Sequence, residues 1–123
     1  MSLDIIADHS QPFTLSLTLN GQLDSLTAPD LQKEINKYLK AAIKTLIFNL
    51  EKLEFISSAG LRIFAKARKD MKGKGGQVFF LNLTPQVKKV FDIVKAVPLS
   101  EVFTSTEELD AYLTVMQSNI NKE

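Results

Sequence analysis

The chain has 123 residues and a formal net charge of +1, with 45% hydrophobic and 24% charged residues, as expected for one globular domain. Because cysteine is absent and His9 is the single histidine, the composition excludes disulfides, thiolate catalysis and cysteine or histidine-rich metal sites. The near-neutral charge gives no reason to expect a nucleic-acid partner, and no apolar run reaches the ~20 residues of a membrane span.

Two pairing strands are predicted at the N-terminus. Residues 3–7 form a short apolar run, and residues 13–19 alternate apolar with hydroxyl-bearing side chains. The period of two predicts a half-buried strand, whose core-facing positions are Phe13, Leu15, Leu17 and Leu19. The two runs should pair as a hairpin, and Asn20 with Gly21 is expected to close the second strand as a turn or a bulge.

The next segment carries several signals of a helix. Thr27 is expected to cap its N-terminus, with Asp30 three residues further on as the second member of a capping box. Pro29 suits the first turn, where a backbone N–H is not needed. Apolar side chains then recur at helical spacing as far as residue 40, so one amphipathic helix is predicted here.

The middle of the chain predicts a strand, a loop and a second helix. Residues 45–48 are apolar enough for a buried strand, and a polar loop with Glu51 and Glu54 is expected to follow. The helix should begin at residues 57–60 and end near residue 72, before a cluster of glycines. The side of this helix that faces the core is predicted to carry Leu61, Phe64, Ala65 and Arg68.

The last third of the chain predicts two strands and two helices. Residues 77–81 form a buried strand, and Thr84 followed by proline opens a helix. The apolar stripe of that helix is predicted at Val87, Val90, Phe91 and Val94. A short edge strand is expected at 101–103, and a capping box starting at Ser105 opens a final helix through residue 116.

The predicted order of elements is β-β-α-β-α-β-α-(β)-α. Strands that alternate with helices imply a mainly parallel sheet, and the opening hairpin makes the sheet mixed. We therefore predict a single α/β domain over residues 1–117, with a mixed sheet of four or five strands and four helices. Residues 118–123 are predicted to be a polar C-terminal tail.

Ser57 and Ser58 lie where the predicted loop enters the second helix, and two interpretations of them are open. A hydroxyl at a helix start satisfies a free backbone N–H group. Alternatively, one serine receives a phosphate, whose charge would be stabilised by the positive end of the helix dipole. The residues alone favour capping.

Other side chains in this region give little support for an enzyme. Asp24, Glu51 and Glu54 could in principle act as acids or bases, but the sequence contains no legible pair of nucleophile and base. The glycines after the second helix lack the lysine and hydroxyl of a phosphate-binding loop. Phe55 and Ile56 could anchor a partner, although packing of the loop into the core is favoured.

Three stretches in order resemble the STAS domain, specifically the stand-alone anti-sigma-factor antagonists of bacteria. They are Gly21, Gln22, Leu23, Asp24 with Thr27 and Ala28; Asn49 and Leu50 with residues 53–61; and residues 83–91. The most specific element is the run Ser57, Ser58, Ala59, Gly60, Leu61. Two positions depart from the family pattern, since Ser57 replaces an aspartate and Ala59 replaces a serine.

The resemblance implies a regulator that binds an anti-sigma factor, often a serine kinase with a GHKL-type ATP site, and thereby releases a sigma factor. The kinase phosphorylates a serine at a helix start, which switches the antagonist off, and a PP2C-type phosphatase restores it. Carried onto this sequence, the acceptor falls on Ser58, with Ser57 as the alternative. The implied partner-binding residues are Asp24, Ser25, Thr27, Ser57, Ser58, Ala59, Gly60 and Arg62.

We accordingly expect a cytoplasmic monomer or weak dimer without catalytic activity, cofactor or metal. It should bind neither nucleic acid nor the membrane interior. The alternative function is an unphosphorylated STAS scaffold, held in a multi-protein regulatory complex or in a membrane-transport complex.

Overall fold

A five-stranded mixed sheet and three helices make up the described part of the computed structural model, which comprises residues 2–39, 42–94 and 102–103. The elements in chain order are β1 (Leu3–Asp8), β2 (Thr14–Leu23), α1 (Ala28–Leu39), β3 (Thr45–Ile56), α2 (Ser58–Gly73), β4 (Gln77–Leu81), α3 (Pro85–Val94) and β5 (Val102–Phe103). The predicted last helix and the polar tail lie outside the described residues.

The strands lie side by side in their chain order. β1 pairs with β2 in the antiparallel sense, and the pairs β2–β3, β3–β4 and β4–β5 are parallel. Right-handed crossovers between successive parallel strands place their helices on the same face of the sheet. In agreement, buried side chains of α1, α2 and α3 join those of the strands in one core cluster. The predicted mixed α/β fold with an opening hairpin is thus confirmed.

Three phenylalanines, one each from β3, α2 and β4, form the centre of this core. Phe48, Phe64 and Phe80 are all fully buried. Their ring centroids are 4.7 Å apart between Phe48 and Phe64, and 5.0 Å apart between Phe64 and Phe80. Phe91 of α3 adds edge contacts to the last two rings. Aromatic pairs at such distances stabilise beyond the area they bury, so this cluster ties α2 and α3 firmly to the sheet.

β3 is much longer than predicted, because its pairing with β2 continues through two irregularities. The register shifts between Thr18 and Asn20 and again after Gly21, whose φ is +116°. The strand-closing turn predicted at Asn20 and Gly21 is therefore wrong: the pairing is irregular beside these residues, but the extra residue at each shift belongs to β3. Glu51 and Glu54 lie on β3 instead of in a loop, since the strand ends only at Ile56.

Two predicted core positions are also wrong. Phe13 precedes β2 with φ 60° and remains 59% exposed, while its carbonyl accepts the N–H groups of Lys44 and Thr45. Ala65 is exposed, because the stripe that α2 buries is shifted toward other positions. The buried side chains of α2 are Leu61, Phe64, Ala67 and Met71.

The start of α3 agrees with its predicted cap and is attached to β3. The Thr84 hydroxyl accepts the N–H of Val87 at 3.4 Å and donates to the carbonyl of Leu53 at 3.0 Å. Val87 and Phe91 are buried in the core, as predicted for the stripe of this helix. The loop after β4 is therefore fixed to the part of β3 that extends beyond β4.

Candidate functional site

The β2–α1 loop and the β3–α2 junction meet at the carboxyl ends of two neighbouring parallel strands. Leu23 pairs with Ile56 in the register, and the N–H of Ser57 donates to the Leu23 carbonyl at 2.9 Å. Loops beyond the carboxyl ends of parallel strands commonly carry the functional residues of α/β proteins. We call residues 24–27, 54–58 and 62 at this end the carboxyl-end surface.

The β2–α1 loop is held by a ring of hydrogen bonds around Asp24 and Thr27. The Asp24 carboxylate accepts the N–H groups of Thr27 at 3.0 Å and Leu26 at 2.9 Å. In return, the Thr27 hydroxyl accepts the N–H of Asp24 at 2.9 Å and donates to the Gln22 carbonyl at 2.9 Å. Thr27 directly precedes α1, as predicted, but its hydroxyl is used inside the loop, so the predicted capping box with Asp30 is wrong.

The same hydrogen bonds favour the ionised form of the Asp24 carboxyl. Donation from the Thr27 N–H, and then from the Leu26 N–H and the Thr27 hydroxyl, holds the pKa of the Asp24 carboxyl below its usual value against the opposing effect of desolvation. Asp24 is therefore negatively charged at neutral pH. The loop presents a fixed carboxylate beside the start of α2.

Replacing Thr27 by valine is expected to lower the free energy of unfolding by about 1–3 kcal/mol. Thr27 is only 6% exposed, so the methyl group of valine would leave the Gln22 carbonyl and the Asp24 N–H without their partner. Urea denaturation followed by circular dichroism measures the loss. The control is Ser25→Ala at the exposed position of the same loop, which should change stability by less than about 0.5 kcal/mol. Equal stability of Thr27→Val and the wild type would contradict the importance of this ring.

At the β3–α2 junction the two serines differ in accessibility. Ser57 is extended, with φ −99° and ψ 175°, and its hydroxyl makes no capping hydrogen bond. The Ser57 Oγ is buried and has no hydrogen-bond partner within the described part of the chain. Ser58 is the first residue of α2 and is exposed. The interpretation of Ser57 as a side-chain cap is thus wrong, and only Ser58 offers its hydroxyl to another molecule.

Gly60 allows the first turn of α2 to lie directly on the ends of β2 and β3. A Cβ atom at this position would be 2.6 Å from Leu23 Cγ and 3.0 Å from Ile56 Cγ1. Real Cβ atoms do not approach that closely, so a larger residue would push α2 away from the strands. The glycine therefore fixes where Ser58 stands relative to the β2–α1 loop.

The remaining predicted partner-binding residues differ in how far they are exposed. Ser25 and Arg62 are exposed, Ala59 is half-buried, and Thr27 and Gly60 are buried. All of them belong to the loop after β2 or to the first turns of α2 after β3, and their role in partner binding stays a prediction. The buried pair positions the loops, while the exposed pair can contact another protein directly.

The sequence did not predict that two large apolar residues at this end are exposed. Phe55 is 47% exposed, so its predicted packing into the core is wrong, whereas Ile56 is buried as predicted. Leu26 is 80% exposed within the β2–α1 loop. In the sequence, Leu26 is only an apolar residue between Asp24 and Thr27, and this does not reveal which way its side chain points.

Recesses also open elsewhere on the described part of the protein. They have volumes of about 370 and 300 Å³ and are lined by residues around Phe13 and by residues of β1 and α1, respectively, and none of these lining residues belongs to the carboxyl-end surface. The described residues contain no group of three or more histidine, aspartate or glutamate side chains that could hold a metal ion. Among the described helices, none is long and apolar enough to cross a membrane.

Known proteins are similar to this chain in sequence and in fold. The family model described as the STAS domain matches residues 4–109. BtrV of Bordetella bronchiseptica, whose name describes it as an anti-sigma factor antagonist, is 29% identical over 89 residues, covering 72% of this chain and 77% of BtrV. The anti-sigma-B factor antagonist of Staphylococcus aureus is 23% identical over 107 residues, covering 87% of this chain and 98% of that protein.

Solved structures of the anti-sigma factor antagonist SpoIIAA have the same fold. The unphosphorylated form has a TM-score of 0.79 at 23% identity, covering 90% of this chain and 96% of SpoIIAA. The phosphorylated form of the Bacillus protein has a TM-score of 0.73 at 21% identity, with 89% and 99% covered. The architecture described above is therefore shared over nearly the whole length of both proteins.

Proposed function

The chain belongs to the STAS domain family, and from this we propose that it is an anti-sigma-factor antagonist, which binds an anti-sigma factor and thereby frees a sigma factor. The names of BtrV and of the Staphylococcus aureus relative support this proposal. The observation that carries it is the exposed Ser58 hydroxyl, held at the start of α2 beside a prebuilt, negatively charged loop. The working unit is the domain over residues 1–117, acting in the cytoplasm as a monomer or weak dimer.

The anti-sigma factor is a GHKL-type serine kinase that phosphorylates Ser58. Ser58 is accessible, whereas the Ser57 hydroxyl is buried, so Ser58 is favoured over Ser57 as the acceptor. The first N–H groups of a helix and the positive end of its dipole stabilise a phosphate at this position. The modification therefore changes the surface without unfolding the domain, and a PP2C-type phosphatase reverses it.

The phosphate switches the protein off by changing the carboxyl-end surface. It adds about −1.5 to −2 charges next to a loop whose Asp24 is already ionised. Burying that charge against the kinase would require its desolvation, and its repulsion from Asp24 would become stronger once the complex excludes water. Ser25, Ser58 and Arg62 form the exposed part of the binding surface, and Asp24 is half-buried beside them. The other proposed residues, Thr27, Ser57, Ala59 and Gly60, support it from within.

Incubation with a kinase and ATP, followed by intact mass measurement, tests the acceptor. The probes are the GHKL-type serine kinases encoded in the same genome, each purified and assayed separately. The wild type and Ser57→Ala should each gain one phosphate, and Ser58→Ala should gain none. Undiminished labelling of Ser58→Ala would reject Ser58 as the acceptor. Binding of a partner without any labelling of the wild type would instead favour the unphosphorylated scaffold.

A further inference from the structure

Two large apolar side chains are exposed at the carboxyl-end surface, which also contains Ser58. Leu26 is 80% exposed and lies two residues after Asp24, while Phe55 is 47% exposed and lies three residues before Ser58. Single exposed apolar residues are normal on protein surfaces. Two of them beside the same candidate site call for a specific explanation.

The local structure holds both side chains outward. The N–H of Leu26 donates to the Asp24 carboxylate, and the Thr27 hydroxyl closes the loop on either side, so the loop has little freedom to turn the leucine inward. Phe55 lies on β3 opposite Gln22, between the strand positions Leu53 and Ile56, which are buried. The backbone on both sides of Phe55 is therefore anchored in the core. Both apolar groups are presented by rigid segments, which lowers the entropy lost on binding.

Polar and charged groups belong to the same carboxyl-end surface as these two side chains. Glu54 precedes Phe55 and accepts a hydrogen bond from the Gln22 amide at 3.5 Å. Asp24 is charged, and Arg62 is exposed one turn after Ser58 on α2. Protein–protein interfaces typically have apolar or aromatic residues at their centre and a polar rim. The arrangement at this end of the sheet has that composition.

We propose that Leu26 and Phe55 are the apolar anchors with which this chain binds its kinase-type anti-sigma factor, each seated in an apolar recess of that protein. The proposal rests on the proposed function, because the kinase must bring its active site to the Ser58 hydroxyl. A standard interface covers about 800 Å² on each partner, which corresponds to a radius of about 16 Å. Phe55 is at most about 10 Å from Ser58 along an extended strand. The backbone of Phe55 therefore lies within the radius of a standard interface centred on Ser58.

Leu26 lies within the same footprint. It is three residues from Leu23, whose carbonyl holds the N–H of Ser57 at 2.9 Å. Burying either side chain against the kinase removes apolar surface from water, which favours the complex. A second copy of the chain is a less suitable occupant, since the carboxylates of Asp24 and Glu54 would meet a surface of the same charge.

Calorimetric titration with the purified kinase tests this inference, with ADP bound in place of ATP so that no phosphate is transferred. Phe55→Ala should weaken binding by about tenfold or more, and Leu26→Ala by about fivefold. The chain offers matched controls in Phe13 and Ile6, which are 59% and 61% exposed at other places. Phe13→Ala and Ile6→Ala should change the dissociation constant by less than about twofold.

Each of the other possible results would contradict either the proposed function or the anchor proposal. If the wild type binds no GHKL-type kinase, the proposed function fails and the anchors fail with it. If the wild type binds but Phe55→Ala and Leu26→Ala bind equally well, the anchor proposal alone is wrong. Equal weakening by all four variants would indicate nonspecific apolar adhesion. The alternative occupant, a second copy of the chain, is tested by sedimentation velocity of the free chain. A dimer that forms in the wild type and dissociates in Phe55→Ala would identify a second copy as the occupant and contradict the anchor proposal.

Discussion

Phosphorylation of Ser58 is expected to weaken binding to the kinase-type anti-sigma factor by at least about 100-fold, which corresponds to about 2.7 kcal/mol. The phosphate would enter an interface already shaped around a neutral hydroxyl. Its charge must lose water there, and its repulsion from the ionised Asp24 of the neighbouring loop becomes stronger when the complex excludes water. Because the start of α2 tolerates an anion, the fold and its stability should change little.

Calorimetry on the unphosphorylated, phosphorylated and phosphatase-treated protein measures this effect. Treatment with the phosphatase should restore the original dissociation constant. Ser58→Asp should also bind weakly, whereas the control Ser10→Asp, at an exposed position after β1, should bind like the wild type. Equal affinity of the phosphorylated and unphosphorylated forms would show that charge at Ser58 does not control the interface.

Replacement of Phe64 by alanine is expected to lower the free energy of unfolding by about 3–5 kcal/mol. The ring is fully buried and contacts Phe48 of β3, Phe80 of β4 and the edge of Phe91 on α3. Its removal would leave a cavity between α2 and the sheet that the rigid strands cannot fill. Because Phe64 anchors the helix that carries Ser58, the loss should also loosen the start of α2.

Urea denaturation compares Phe64→Ala with Phe55→Ala, the same substitution at an exposed position. The exposed variant should lose less than about 1 kcal/mol, because its side chain already contacts water in the folded state. This contrast separates stability from binding, since Phe55→Ala is expected to affect the partner and Phe64→Ala the fold. A loss below about 1 kcal/mol for Phe64→Ala would contradict its central place in the core.

Most of the fold was predictable from local patterns. Alternation over residues 13–19 and the Thr84 cap before Pro85 are short-range signals, and the structure contains β2 and α3 at these places. The length of β3 was not predictable in this way. Its pairing with β2 continues only because β3 carries an extra residue at each of two register shifts, so the burial of residues 51–56 loses the period of two that marks a strand.

The sequence predicted where the candidate site lies but not which of its two serine hydroxyls is exposed. Ser57 and Ser58 are chemically identical, and which hydroxyl faces solvent depends on how α2 leaves β3. That geometry is set by the close approach of Gly60 to Leu23, a contact between residues far apart in the chain. The exposure of Leu26 likewise follows from the hydrogen bonds of Asp24 and Thr27, which a reading of residue types does not reveal.

Displacement of a sigma factor from its anti-sigma factor tests the central claim most directly. The fluorescently labelled sigma factor is bound to the purified kinase, and its anisotropy is followed while this chain is added. The unphosphorylated chain is predicted to release the sigma factor and lower the anisotropy to that of the free protein, whereas the chain phosphorylated on Ser58 should release none. Retention of the sigma factor at saturating unphosphorylated chain, or equal release by both forms, would contradict the account.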